Sequence, residues 1–164
     1  MGLEQGIRKA GRGARLRRGL LVAGTVAAVA VVPSAALATP GSGVSGTVLA
    51  KGASDGKLKI KTPEGDTDVV VRTITLAPGG STGWHHHPGQ LVAVVQAGTL
   101  TRTLDDCSVE VTAAGGAFIE PSGGKHIHIG RNLGTEPVVL YVTYLLPKGA
   151  PLSVDEPAPD CAQG

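Results

Sequence analysis

All five histidines of this 164-residue chain fall in two short windows, His85-His86-His87 and His126-Ile127-His128. In a β-strand, residues i and i+2 point to the same face, about 6.5 Å apart along the chain. His85 and His87 can therefore present their imidazoles side by side, while His86 points the other way. His126 and His128 repeat that geometry in the second window. Two such strands facing each other converge three or four imidazoles on one point, as a divalent transition metal requires. Either window alone has a plainer explanation: a solvated turn with incidental metal affinity, or a cross-strand hydrogen-bonding pair. Together they predict one bound Fe, Mn, Zn, Ni or Cu ion, held by His85, His87 and one of His126 or His128. Glu120 precedes Pro121 next to the second window. It can orient a ligating histidine or act as a catalytic base, a surface acid being the plain alternative. Arg102 is read as an anchor for an anionic substrate or as an edge residue whose head reaches solvent.

These side chains need short strands to hold them. Lys57-Leu58-Lys59-Ile60-Lys61 alternates strictly, and Val69 to Leu76 is rich in β-branched residues. Leu91 to Val95 is continuously apolar. Leu100–Leu104, Ser108–Thr112, Ala117–Glu120, His126–Gly130 and Val138–Leu145 complete the expected set. No segment after residue 40 sustains a helical period. With Gly at 25 positions and Pro at 11, turns are frequent and long helices are disfavoured. The expected fold is all-β, a sandwich or barrel. From Pro147 the chain reads as an extended, Pro-rich tail.

Two longer patterns resemble a known family. Gly79, His85-His86-His87-Pro88-Gly89-Gln90-Leu91 and Gly98 are similar in order and spacing to the first cupin motif. Gly115, Pro121-Ser122-Gly123-Gly124-Lys125-His126, then His128 and Asn132, are similar to the second. The resemblance implies one jelly-roll barrel over residues 46–146, of the RmlC-like type. The first motif usually carries a Glu where this chain has Leu91. The implied site is therefore three-His, alone or with Gln90 or water as a weak fourth ligand, and with no anionic ligand on the metal. His126 fits one spacing of the second motif and His128 the other, the latter through Asn132.

The N-terminus has a cationic stretch from Arg8 to Arg18, an apolar run Gly19–Val32, and Ala36-Leu37-Ala38. This order predicts a signal peptide over residues 1–38, with Arg17-Arg18 partly resembling a twin-arginine signal. Residues 39–45 are then a flexible entry segment and 147–164 the tail. Export to a periplasmic, extracellular or cell-surface location favours a disulfide between Cys107 and Cys161, the only cysteines. Closing that loop contributes roughly 3–4 kcal/mol by the chain-entropy model.

Residues 39–164 carry 9 Lys/Arg against 12 Asp/Glu, so the exported part has no electrostatic case for binding nucleic acid or an anionic membrane. Four aromatic residues, Trp84, Phe118, Tyr141 and Tyr144, are too few for a base-stacking surface. The expected partner is a small-molecule ligand or substrate. No stable membrane contact is expected after signal cleavage, and a homodimer stays open. Cupins include dioxygenases, isomerases, decarboxylases and non-catalytic binding proteins, so both a metal-dependent oxygenase-like enzyme and a metal- or ligand-binding module remain.

Overall fold

The computed structural model describes residues 41–162. The signal peptide predicted over residues 1–38 lies outside them. Residues from Val44 onward form one compact unit. Nine strands account for nearly all its regular structure: β1 (Thr67–Leu76), β2 (His85–His86), β3 (Gln90–Ala97), β4 (Thr99–Leu104), β5 (Val109–Ala113), β6 (Ala117–Glu120), β7 (His128–Arg131), β8 (Val138–Pro147) and β9 (Val154–Asp155). Among the described residues the one helical element is a 3-10 turn, Asp160–Ala162. The strands form two antiparallel sheets, in the orders β1-β8-β3-β6 and β5-β4-β7-β2-β9. Among the described residues no helix is long and apolar enough to cross a membrane.

Alternation of side chains builds the core. Along β8, Val138, Leu140, Val142, Tyr144 and Leu146 are buried and the residues between them half-buried. They meet Leu91, Ala93 and Val95 of β3, Leu100 of β4 and Phe118 of β6 in one hydrophobic cluster. Burial of such side chains is the main favourable term in folding. β1 pairs with β8 along its whole length, Thr67 opposite Pro147 and Leu76 opposite Val138. Two side-chain and backbone features lock the connections. Asn132 is fully buried; its amide donates to the carbonyls of Leu76 and Glu136 and accepts from Gly134 N–H. Gly89 passes so close to β8 that a Cβ would stand 2.0 Å from the Leu145 carbonyl oxygen. Only glycine fits between the histidine segment and the core strand.

Two expected strands are corrected. Lys57–Lys61 is not a strand, and Leu58 and Ile60 are 39% and 56% exposed. Alternation supplies a face but not a ladder partner. Upstream, Ala53 bonds to Gly115 and Ala117, and Lys61 N–H is taken by the Gln90 side chain. The second histidine strand starts at His128 rather than His126, because a turn closed by His126 N–H to Gly123 O occupies the preceding residues.

The C-terminal segment is also more ordered than its sequence suggests. It crosses back over the first histidine window, where β9 pairs with β2. It ends in a disulfide between Cys161 and Cys107, which lies in the β4–β5 turn. Cys107 adopts φ 60°, a left-handed conformation unusual for a side chain other than glycine.

Candidate metal centre

β2 and β7 are paired with His85 directly opposite His128. His87 follows β2 with its ring on the same side as His85, and His86 faces the other way toward Glu156. The three buried side chains His85, His87 and His128 each offer one ligand atom, all within 4.8 Å of one another. Their ring centroids are 4.5–5.3 Å apart. The remaining ring nitrogens explain how they are aimed. Nδ1 of His85 donates to Gly83 O at 2.9 Å, Nδ1 of His87 to Leu152 O at 2.6 Å, and Nδ1 of His128 to His126 O at 2.9 Å. A carbonyl only accepts, so each Nδ1 carries a proton, and Nε2 is the ring atom left to present a lone pair to a metal.

Those lone pairs point at one another and at a carboxylate. Nε2 of His85 and His87 are 3.2 Å apart. Glu120 Oε2 lies 3.0 Å from His87 Nε2 and 3.1 Å from His128 Nε2. The His128 contact is at ion-pair distance but lacks hydrogen-bond alignment, leaving that buried Nε2 without a hydrogen-bond partner. Four acceptors thus meet with no donor between them unless a proton or a cation enters. That arrangement fits a divalent metal, whose ligands are neutral imidazoles and carboxylates.

The carboxylate corrects an expectation. Leu91 does point inward at the position where the first motif lacks its Glu, and no ligand comes from it. Its register partner on the neighbouring strand is Glu120, which brings a carboxylate to the same place. The site therefore holds an anionic group beside its three imidazoles. Alternation along β6 is the signal for it: Phe118 and Glu120 share the buried face.

Electrostatics keep Glu120 ionised. Burial alone would favour its neutral form, but the imidazoles of His128 and His87 hold its pKa well below the carboxylate range. For His128, burial opposes protonation, and the Glu120 carboxylate more than offsets it, so the net shift is upward. Burial lowers the pKa of His85, partly countered by the Gly83 carbonyl. Arg102 is only 5% exposed and is not an edge residue with its head in water. Its guanidinium bonds Glu110 and Glu120 Oε1, and lies 3.6 Å from the centre of the Phe118 ring.

The other candidate residues lie apart. Gln90 stands on the outward face of β3, where its Oε1 accepts Lys61 N–H at 2.6 Å. It is not among the side chains around the histidines. The His126 ring is exposed, and its part in the cluster is the backbone carbonyl that holds His128. The Leu152 carbonyl has no sequence signature at all.

Two cavities reach these residues. A space of about 40 Å³ inside the barrel touches His85, His87, His128, Glu120, Leu91 and Tyr144. A second, of about 180 Å³, opens beside Glu120 and His128 and is lined by Arg102, Pro121, His126 and Ile127.

A family model described as a cupin domain matches residues 72–144. No curated protein matches the sequence. Among solved structures, a double-stranded beta-helix protein of Klebsiella pneumoniae is 25% identical, with 60% of this chain and 91% of that one aligned at a TM-score of 0.47. An RmlC-like cupin of Shewanella frigidimarina is 20% identical over 49% of this chain and 68% of that one, at a TM-score of 0.42. An oxalate oxidase is 25% identical over 46% of this chain and 41% of that one, at a TM-score of 0.41. The two antiparallel sheets and the paired histidine motifs agree with the match of residues 72–144 to a cupin domain.

Proposed function

We propose that this is an exported single-domain cupin that holds one divalent transition metal through His85, His87 and His128, with Glu120 as the anionic member of the site. The carrying observation is the set of three Nδ1–H donors fixed on backbone carbonyls, which turns three Nε2 lone pairs toward one another and toward Glu120. The metal, when bound, supplies Lewis acidity and positions for small ligands. Fe, Mn, Zn, Ni and Cu all accept such a donor set, so the donors do not choose among them. The depressed pKa of Glu120 makes it a persistent anion and a weak base, so it serves as a ligand or counter-charge rather than as a proton acceptor.

The site then acts on a small organic molecule, by oxygenase-type or related metal-dependent chemistry. The 40 Å³ interior is small, with room for water or a molecule of a few atoms. A larger molecule comes in through the 180 Å³ cavity, against Glu120 and His128 and under the Arg102 guanidinium. That same tightness favours a second reading, in which the protein binds metal and a very small ligand without turnover.

The test is metal analysis of protein prepared without a His-affinity column, together with titration of the stripped protein. One equivalent per chain is expected, held much more weakly in His87→Ala. A parent protein that takes up no divalent transition metal refutes the proposal. Oxygen consumption by the loaded protein with small carboxylic acids and thiols separates turnover from simple binding.

A further inference from the structure

Past Pro147 the chain forms a strap over the metal centre. Leu152 packs on the core, and its carbonyl accepts His87 Nδ1–H at 2.6 Å. Val154 and Asp155 pair with His86 and His85. Glu156 N–H bonds to Trp84 O at 2.9 Å, and Glu156 Oε1 meets His86 Nδ1 at 2.8 Å. The strap therefore touches each residue of the Trp84–His87 segment. Its far end is tied by Cys161 to Cys107, in the turn after β4. β4 in turn pairs with β7, which carries His128. The disulfide thus joins the segment that orients His87 to the ladder that positions His128.

Apart from the disulfide, the strap's hold is thin. None of its residues from Pro151 to Ala162 is buried, and Val154 is exposed. A segment with so little buried surface does not offset the entropy of its own ordering without a covalent anchor. The His87 ring, by contrast, depends on the strap for its only Nδ1 partner among the described residues. Such outer partners of a ligating histidine fix its tautomer and its orientation.

We propose that the disulfide-closed strap is a positioning element of the metal centre, so that reduction of Cys107–Cys161 weakens metal retention. The inference rests on the three-histidine metal site proposed above. An external phosphine cleaves the S–S bond with two electrons and two protons, giving two thiols and the phosphine oxide with water as the oxygen source. The freed strap leaves His87, whose Nδ1–H then turns to solvent. Leu152 acts through His87 and touches no substrate.

Cobalt(II) alone is the probe, titrated into the stripped protein and followed by its visible absorption. The Cys107→Ser/Cys161→Ser variant opens the strap without leaving thiols that could themselves bind cobalt. The expected result is an affinity about 10–100-fold below that of the oxidised parent, the usual effect of removing an outer partner of a metal ligand. In a His87→Ala background, opening the strap should change cobalt affinity no further, which a general loss of stability would not reproduce. Equal affinities of the parent and the double-Ser variant overturn the proposal. If the double-Ser variant does not fold, cobalt release from the loaded parent into a chelator is timed before and after phosphine reduction. A tenfold faster release supports the strap, and an unchanged rate overturns it. A parent that binds no cobalt would instead bring down the metal site itself, and the strap's role with it.

Discussion

Replacing Glu120 by Gln isolates the charge at the centre of the site while keeping its shape. In the metal-free protein the carboxylate faces Nε2 of His87 at 3.0 Å and of His128 at 3.1 Å, and Arg102 at 3.4 Å. Removing one member of a buried ion pair typically costs about 3–5 kcal/mol, because its partners stay buried and uncompensated. The Gln carbonyl still accepts from Arg102, which argues for the lower end, about 3 kcal/mol. At about 3–5 °C per kcal/mol for a domain of this size, the thermal midpoint should fall by about 9–15 °C. The gap should depend on pH in a defined way. Glu120 has its folded pKa below the ordinary 4.5, so its contribution is present above that value and is lost as pH falls through the folded pKa. His128 has its folded pKa above the ordinary 6.5, so its contribution is present below 6.5 and is lost as pH rises through the folded pKa. The difference between parent and variant should therefore be widest between pH 4.5 and 6.5 and shrink on both sides. Thermal melts of both proteins in chelator, from pH 3.5 to 9, measure it. A gap that is flat across this range, or a variant more stable than the parent at pH 6, would show that the carboxylate is not paired with the imidazoles.

Metal affinity should weaken as pH falls through the raised pKa of His128, by about tenfold per unit for each proton displaced; an affinity unchanged between pH 7.5 and 5.5 in a zinc titration would contradict it. His86→Ala should keep one metal per chain with less than a tenfold loss, since its ring meets Glu156, whereas His87→Ala should lose more than about 100-fold. Leu91→Glu sets a second carboxylate against Glu120, and in chelator it should cost about 3 kcal/mol or more at pH 7, with metal restoring more stability than it adds to the parent; denaturant curves with and without metal decide this. Gln90→Ala should leave the metal titration unchanged but speed trypsin cleavage after Lys57, Lys59 and Lys61, because it removes the bond holding Lys61; a large drop in metal affinity would return Gln90 to the site.

Local patterns in the sequence carried much of this. The i, i+2 spacing of His85 and His87 places both rings on one side, and the apolar alternation of β8 and β3 forms the core as written. The cysteine pair and the all-β architecture also follow from local rules. What stayed hidden depends on register between strands far apart in sequence. Leu91 and Glu120 lie 29 positions apart, and only their pairing across β3 and β6 shows that one replaces the charge missing at the other. The choice between His126 and His128 turned on a tight turn that delays the start of β7. Lys57–Lys61 has strand-like alternation, but no strand pairs with it and it remains coil. Leu152 matters through its carbonyl, a group every residue possesses, which no residue type could reveal.

That last point bears on how readily such a site can be damaged by mutation. The three groups that set the histidine tautomers are main-chain oxygens of Gly83, His126 and Leu152. No single side-chain replacement deletes a peptide carbonyl. A saturation library at positions 83, 126 and 152 should therefore tolerate many residues, provided the local backbone keeps its path. Gly83 is the exception, because its φ of 72° is costly for most other residues. Damage should instead concentrate at positions that set the course of the chain, such as Gly89 against β8 and the two cysteines. A library of this kind would report a metal centre whose mutational sensitivity lies largely in residues that never touch the ion.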